Sequence, residues 1–462
     1  MALLARCLML WTATLCGVAL AADNDALEQQ QMERRVAELA PLVEQITGRR
    51  FHRLPEVVIA DPPLIAEVLY REQVHLLRRL ADLDESEAQR AARRATDENA
   101  AAFVGKYGFL DKKLYVMQDG ILTSLLGHGV PASLVEPVTD LVLAHELVHA
   151  LQDQQADLAH VVANQGSPDA VVATNCTVEG HAVWVHEQVG RLLDQPAAVY
   201  VVANILGYDP LRPGLATHPD LFYTSYVYGQ GRNFIAQQHE MHGNEGLWQL
   251  IEHPPASSSM IVMHHPYATQ PPHPMNRRER RAIQRTRSRI APRRWDRDRE
   301  EEVGDYDLRR RLTGSRSGLT LADGFTTGWA SSTAQSEHEW VEVQLLRFET
   351  EGHAQDYVGH MKAQAAHQLA EAMPPVASVR LAPRIDGTVR EFEPMGYAGT
   401  GQETLSIDLG VGEPAHVFRQ VWVARDQHVV QVTLANHAVA DARVARAIRG
   451  LFRVVRLDPA DP

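Results

Sequence analysis

Cysteine is scarce: the 462-residue chain holds three. Cys7 and Cys16 fall in an N-terminal apolar stretch, so a chain processed after it keeps Cys176 alone. One thiol cannot make an intrachain disulfide, and the fold has to rest on its core and on any metal it holds. Cys176 is expected to be a small buried residue. Excess positive charge is also missing. Lys and Arg number 45 against 58 Asp and Glu, a net charge of −13, which argues against a general nucleic-acid binder. No apolar run reaches the ~20 residues that a comfortable membrane span takes. The apolar stretch Cys7–Leu20 is shorter, follows Arg6 and ends in the small-x-small site Ala19-Leu20-Ala21. Residues 1–21 therefore read as a signal peptide. The expected location is periplasmic or secreted, with an uncleaved anchor as the alternative.

The rest of the chain is long enough for two or three domains. Leu27, Met32, Val36, Leu39, Val43 and Ile46 mark an amphipathic helix over 24–47. A short strand is expected at 54–60, and helix over 62–101. Apolar and aromatic residues flank the polar turn Asp111-Lys112-Lys113, which predicts a β-hairpin over 104–117. The edge of such a hairpin can pair with an extended peptide, or the hairpin can be ordinary core. The arginine-dense run Arg277–Arg299 is interspersed with acids and reads as a solvated connector or helix rather than a polyanion site. After Asp323 strand-like alternation recurs at 339–348, 376–381, 417–424 and 428–434, with helices at 353–373 and 439–451. The expected class is α+β: a mainly helical domain with a small sheet over 22–275, a connector over 276–322, and a C-terminal α+β domain over 323–462.

The stretch that carries chemistry is Asp140-Leu-Val-Leu-Ala-His145-Glu146-Leu-Val-His149-Ala-Leu-Gln-Asp153. On a helix, residues four apart share a face. His145 and His149 can then grip one zinc ion, while Glu146 is placed to take a proton from an attacking water. The surrounding Leu and Val residues put this helix in the interior, where polar groups need partners. The helix is expected to start near Pro137, with Thr139 or Asp140 as its cap, and to reach about His160. A catalytic zinc takes a third protein ligand, and Asp153, Asp157, His160, Glu179, His181, His186 and Glu187 are the nearby candidates. Asp153 lies too far along the axis to ligate comfortably and suits the free N–H of a ligating imidazole. Glu179 stands on a second helix, expected over 169–193 beyond the break at Gln165–Asp169, where Gly180 would let two backbones approach. Gln152 and Gln155 occupy the places where a metzincin carries Gly and His.

With these residues in view the chain resembles a gluzincin metallopeptidase, the group with His-Glu-x-x-His and a downstream Glu. It is more closely similar to a family of bacterial exported proteins built on that motif. The matching pieces are Tyr107-Gly108-Phe109-Leu110-Asp111, His145–Gln154 and Glu179-Gly180-His181-Ala182. Later pieces are Tyr228-Gly229-x-Gly231-x-x-Phe234, Pro255-Ala-Ser257-Ser258, His265-Pro266 and Gly328-Trp329. The likeness spans roughly residues 30–350. It implies a zincin-like fold, zinc as cofactor, and His145, His149 and Glu179 as ligands. Two departures stand out: His181 replaces the acid usual after Glu-Gly, and no acid follows Gly328-Trp329.

The function expected from this is a zinc-dependent hydrolase, most simply a peptidase acting on a peptide or protein substrate. Glu146 would be the general base. Tyr228 and His265, with His264 behind them, are the candidate donors to the oxyanion. The alternative is a catalytically silent zincin-fold scaffold of the cell envelope. An intact Glu146 argues against it, because a scaffold has no use for a base.

Overall fold

The computed structural model describes residues 25–80, 84–97, 105–117, 130–208, 219–262, 275–295, 297–313, 319–336, 339–372, 385–390, 404–411, 416–437 and 439–455. The expected signal peptide, the strand expected over 376–381, and His264 and His265 lie outside them. No helix among the described residues is long and apolar enough to cross a membrane. The chain forms two compact units that divide between Met263 and His264. Its class is α+β.

The first unit is mainly helical. Helix α1 (Asp25–Thr47) buries Met32, Val36, Leu39, Ala40 and Val43, a stripe at three- and four-residue spacing. The helix expected over 62–101 is two helices, α2 (Pro62–Leu80) and α3 (Glu85–Asp97). Strands β1 (Glu56–Ile59), β2 (Gly105–Gly108) and β3 (Lys113–Val116) form a sheet of order β1-β3-β2. The hairpin is present: β2 pairs antiparallel with β3. Its turn closes with the Lys112 N–H donating to the Gly108 carbonyl at 2.7 Å, and Lys112 sits at φ +63°. A buried Lys106–Glu72 pair at 2.8 Å ties the hairpin to α2. Glu72 also accepts from the Phe109 N–H at 2.8 Å.

Helix α4 (Ala132–Ala156) starts earlier than the sequence suggests and takes Pro137 into its second turn. Neither expected cap is one. The Thr139 hydroxyl donates back to the Val135 carbonyl at 2.9 Å, and Asp140 pairs with Arg35 at 2.8 Å. At the far end Asp157 turns left-handed, φ +50°, and its side chain accepts from the His160 N–H, opening α5 (Leu158–Ala163). His160 is therefore not in α4. Next comes α6 (Pro168–Leu192), capped by the Ser167 hydroxyl accepting from the Ala170 N–H. Then come α7 (Pro196–Ile205) and α8 (Pro219–Thr224). A π-helical turn, Ser225–Gln230, leads into α9 (Gly231–Glu252). Helix α6 packs against both α4 and α9.

The second unit is a seven-stranded antiparallel sheet with helices on both faces. Its strands are β4 (Arg299–Val303), β5 (Phe325–Ala334), β6 (Trp340–Phe348), β7 (Ile385–Arg390), β8 (Thr404–Val411), β9 (His416–Arg425) and β10 (His428–Ala435). Their order is β4-β5-β6-β10-β9-β8-β7. Alternation along β6 sends Val341, Val343 and Leu345 to one face and Leu346 and Phe348 to the other. The first face is covered by α10 (Arg277–Ile290) and α13 (Asp441–Val455), the second by α11 (Asp305–Arg311) and α12 (Glu351–Ala372).

The segment expected as a connector is thus part of this unit. Ala282, Ile283 and Ile290 of α10 belong to its core, and Asn276 and Glu279 form a capping box at its start. Arg287 reaches Asp298 at 2.6 Å and the Ser332 carbonyl at 2.8 Å. Strand β5, which the sequence does not announce, buries Thr327, Ser331 and Thr333.

Buried His428 at the start of β10 titrates well below an ordinary imidazole, at about 4. Burial is the main cause, and the Arg347 guanidinium beside it, Nε to Nε2 3.4 Å, adds to it. Below pH 6.5 the unfolded chain takes up this proton and the folded one does not, so stability falls as pH drops from about 6.5 to about 4. The loss from this group is up to about 3 kcal/mol. His428→Gln should flatten that slope, read as denaturation midpoints across the interval. An unchanged slope would remove His428 as its source.

Candidate metal centre

Three side chains from α4 and α6 meet in the first unit. His145 and His149 lie one turn apart on α4, and Glu179 faces them from the middle of α6. His145 Nε2 is 3.1 Å from Glu179 Oε2, His149 Nε2 is 3.3 Å from it, and the two Nε2 atoms are 3.1 Å apart. All three residues are buried. Among the described residues they are the group of His, Cys, Asp and Glu side chains able to hold a metal ion.

The donor atoms fit such an ion. A tetrahedral centre with arms of ~2.0–2.1 Å has ligand–ligand edges about 1.63 times as long, roughly 3.3 Å. The observed edges match that triangle. The lone pairs also converge. The Val178 carbonyl can only accept, so the atom facing it at 2.9 Å is the Gln152 amide nitrogen. That leaves Gln152 Oε1 toward His149 Nδ1, at 2.9 Å, and makes Nδ1 the protonated nitrogen. A neutral His149 then aims its Nε2 lone pair at a carboxylate oxygen, which is repulsive unless a proton or a metal lies between. Burial alone would raise the Glu179 carboxyl, but His149 and His145 outweigh it and hold the group down at about 2. Burial would likewise lower His149, and Glu179 and Glu146 overcome it and raise the imidazole. Glu179 Oε1 is buried without a hydrogen-bond partner among the described residues. The pocket calls for one positive charge.

Glu146 lies half-buried beside this triangle, and its Oε2 accepts from the Tyr107 N–H at 2.7 Å. Strand β2 is the sheet's edge, as a peptide-pairing strand must be, yet all four of its residues are buried and the Tyr107 N–H is engaged by Glu146.

Asp153 partners neither His145 nor His149. It accepts from the Tyr107 hydroxyl at 2.7 Å, the Lys112 ammonium at 2.7 Å and the Leu158 N–H at 3.0 Å. One turn past His149, its carboxylate has moved along the axis to the hairpin. Gln152, three residues past His149, lies under the imidazole instead and takes the place expected of Asp153. Its amide also meets His181 Nδ1 at 3.1 Å. Burial keeps His181 neutral, at about 3, able to accept there. His186, two turns past Glu179 on α6, has its Nδ1 3.2 Å from His145 Nδ1. Gln152 is a site residue the sequence does not announce, and His186, a candidate third ligand there, stands behind His145 instead. Their signal was their spacing from His149 and from Glu179 on common helix faces.

The other candidates fall elsewhere. Glu187 is held by the Arg232 guanidinium at 2.7 Å and the Tyr208 hydroxyl at 3.1 Å. Asp157 is the cap between α4 and α5, and His160 is exposed in α5. Cys176 is buried in α6. Tyr228 sits in the π-helical turn, buried, with its ring centre 6.3 Å from that of His145. Such turns recur at functional sites.

No protein-family model matches the chain, and no curated protein does. Similar solved structures include "a putative hydrolase with a novel fold" from Chloroflexus aurantiacus, 18% identical, covering 56% of this chain and 93% of that one with a TM-score of 0.39. Another is the extracellular domain of PknH from Mycobacterium tuberculosis, 14% identical, covering 35% of this chain and 80% of that one with a TM-score of 0.22.

Gly180 does allow a close approach, but to a different element from the one expected. A Cβ there would lie 2.2 Å from the Gly231 carbonyl carbon, at the junction of the π-helical turn and α9. Gly231 in turn leaves no room for a Cβ beside the Cys176 carbonyl oxygen. Gly180→Ala must push α6 away from α9 right beside Glu179. It should destabilise the protein by about 1–3 kcal/mol or more, an overpacking cost, measured by chemical denaturation. A change under ~0.5 kcal/mol would mean the helices separate freely.

Proposed function

We propose that the protein is an exported zinc-dependent hydrolase that cleaves peptide bonds in a peptide or protein substrate. The observation that carries this is the triangle of His145 Nε2, His149 Nε2 and Glu179 Oε2, with Glu146 beside it. Two imidazoles and a carboxylate at tetrahedral edges are a donor set suited to zinc, with a fourth position left for water or substrate. Bound there, zinc supplies electrophilic activation of water and of the scissile carbonyl.

The protein's own groups supply the rest. Glu146 takes the proton from the attacking water and passes it to the leaving amine. The Tyr107 N–H holds one of its oxygens and so aims the other. Tyr228 is our choice for a donor near the developing oxyanion, from its place beside His145. His265 keeps the same assignment from the sequence alone. Export rests on the Arg6 to Ala21 pattern.

Purified protein should contain about one zinc per chain, and Glu146→Gln should keep the metal while hydrolysis of mixed denatured proteins falls by ~10²–10⁴, the range for a lost general base. His149→Ala should lose both. Absence of metal from the wild type would sink the zinc assignment, and equal activity in Glu146→Gln would remove Glu146 as the base.

A further inference from the structure

We propose that Gln152 and His186 are the positioning residues of this centre. Gln152 fixes the tautomer of His149, His186 fixes that of His145, and both do so without a charge. The inference rests on the metal-centre reading above. A ligating imidazole offers its metal a lone pair on one nitrogen only if the other nitrogen carries the proton, and the acceptor facing that second nitrogen decides which is which.

For His149 the acceptor is the Gln152 amide oxygen at 2.9 Å. Its orientation is imposed from outside the pair, because the Gln152 nitrogen meets the Val178 carbonyl at 2.9 Å and His181 Nδ1 at 3.1 Å. Flipping the amide would set oxygen against oxygen at Val178. For His145 the acceptor is His186 Nδ1 at 3.2 Å. With Nε2 of His145 in the donor triangle, its Nδ1 carries the proton and donates, so His186 Nδ1 is the lone-pair side. His186 is then protonated at Nε2, an atom that is buried with no hydrogen-bond partner among the described residues. The partner that fixes the orientation of this buried imidazole is therefore His145.

Both acceptors are neutral, where a carboxylate is a common partner. Asp153, the acid one turn past His149, is engaged by Tyr107, Lys112 and Leu158 instead. Two neutral imidazoles and one carboxylate leave a divalent ion with a net charge of +1, and the two groups facing the imidazole Nδ1 atoms add no further negative charge. The arrangement favours electrophilicity at the metal over tightness of binding.

The test is zinc affinity by competition with a chromogenic chelator, together with the visible spectrum of the cobalt(II)-loaded protein, which reports ligand geometry without any substrate. Gln152→Leu and His186→Leu should each weaken zinc by roughly 10–100-fold and alter the cobalt bands. His186→Asn, whose amide oxygen can stand near the place of Nδ1, should stay within about threefold of wild type if rescue holds. Folded Leu variants with wild-type affinity and spectrum would overturn the proposal. If those variants do not fold, nitrogen-15 NMR of the zinc-loaded wild type decides: His145 and His149 must both show Nδ1–H with metal at Nε2, and metal at Nδ1 of either overturns it. A wild type that binds no zinc at all overturns the metal centre and this inference together. Indifferent variants of a zinc-binding wild type overturn the inference alone.

Discussion

Two imidazole nitrogens and a carboxylate oxygen, buried and no more than 3.3 Å from one another, repel unless something positive sits among them. The first unit is arranged around that constraint. Unmet charge in the interior is costly, and helices that bring such atoms together against their repulsion need firm packing behind them. Helix α6 has that packing on two sides. It lies against α4, whose His145 and His149 it faces, and against α9 through the Gly180–Gly231 contact. Behind these three residues stand polar groups: Gln152, which meets His149, His181 and the Val178 carbonyl, and His186, which meets His145.

What could be read in the sequence was what is local. His145, Glu146 and His149 follow from helical spacing alone, and the hairpin from its turn residues. Glu179 needed the idea of a second helix returning, since nothing within α4 points to it. Asp153 and Gln152 differ by one position: a carboxylate four residues past His149 clears the imidazole and reaches the hairpin, while Gln152 slips beneath. Gly180 reads as a contact point, but which backbone it meets depends on where α9 crosses. Likewise the helix start at Ala132 is hidden by Pro137, which reads as a first-turn residue and is accommodated one turn inside.

In the second unit, charge and small residues masked the pattern. Helix α10 carries so many arginines that its buried stripe of Ala282, Ile283, Thr286 and Ile290 is easily missed, though those residues share one face and join the core. Strand β5 is built of Gly, Ser, Thr and Ala with Phe325 and Trp329. Its polar residues go inside, so hydrophobic alternation says little. The strands that were legible, β6, β9 and β10, are the Val- and Leu-rich ones at the middle of the sheet.

Tyr107 holds helix α4 at two places. Its backbone N–H grips Glu146 and its phenol grips Asp153, two acids on the same side of one helix and two turns apart. A strand pinned to a rod at one point can pivot; pinned at two, it becomes a splint. The hairpin and the Glu146 carboxylate are therefore joined through two fixed points on one helix.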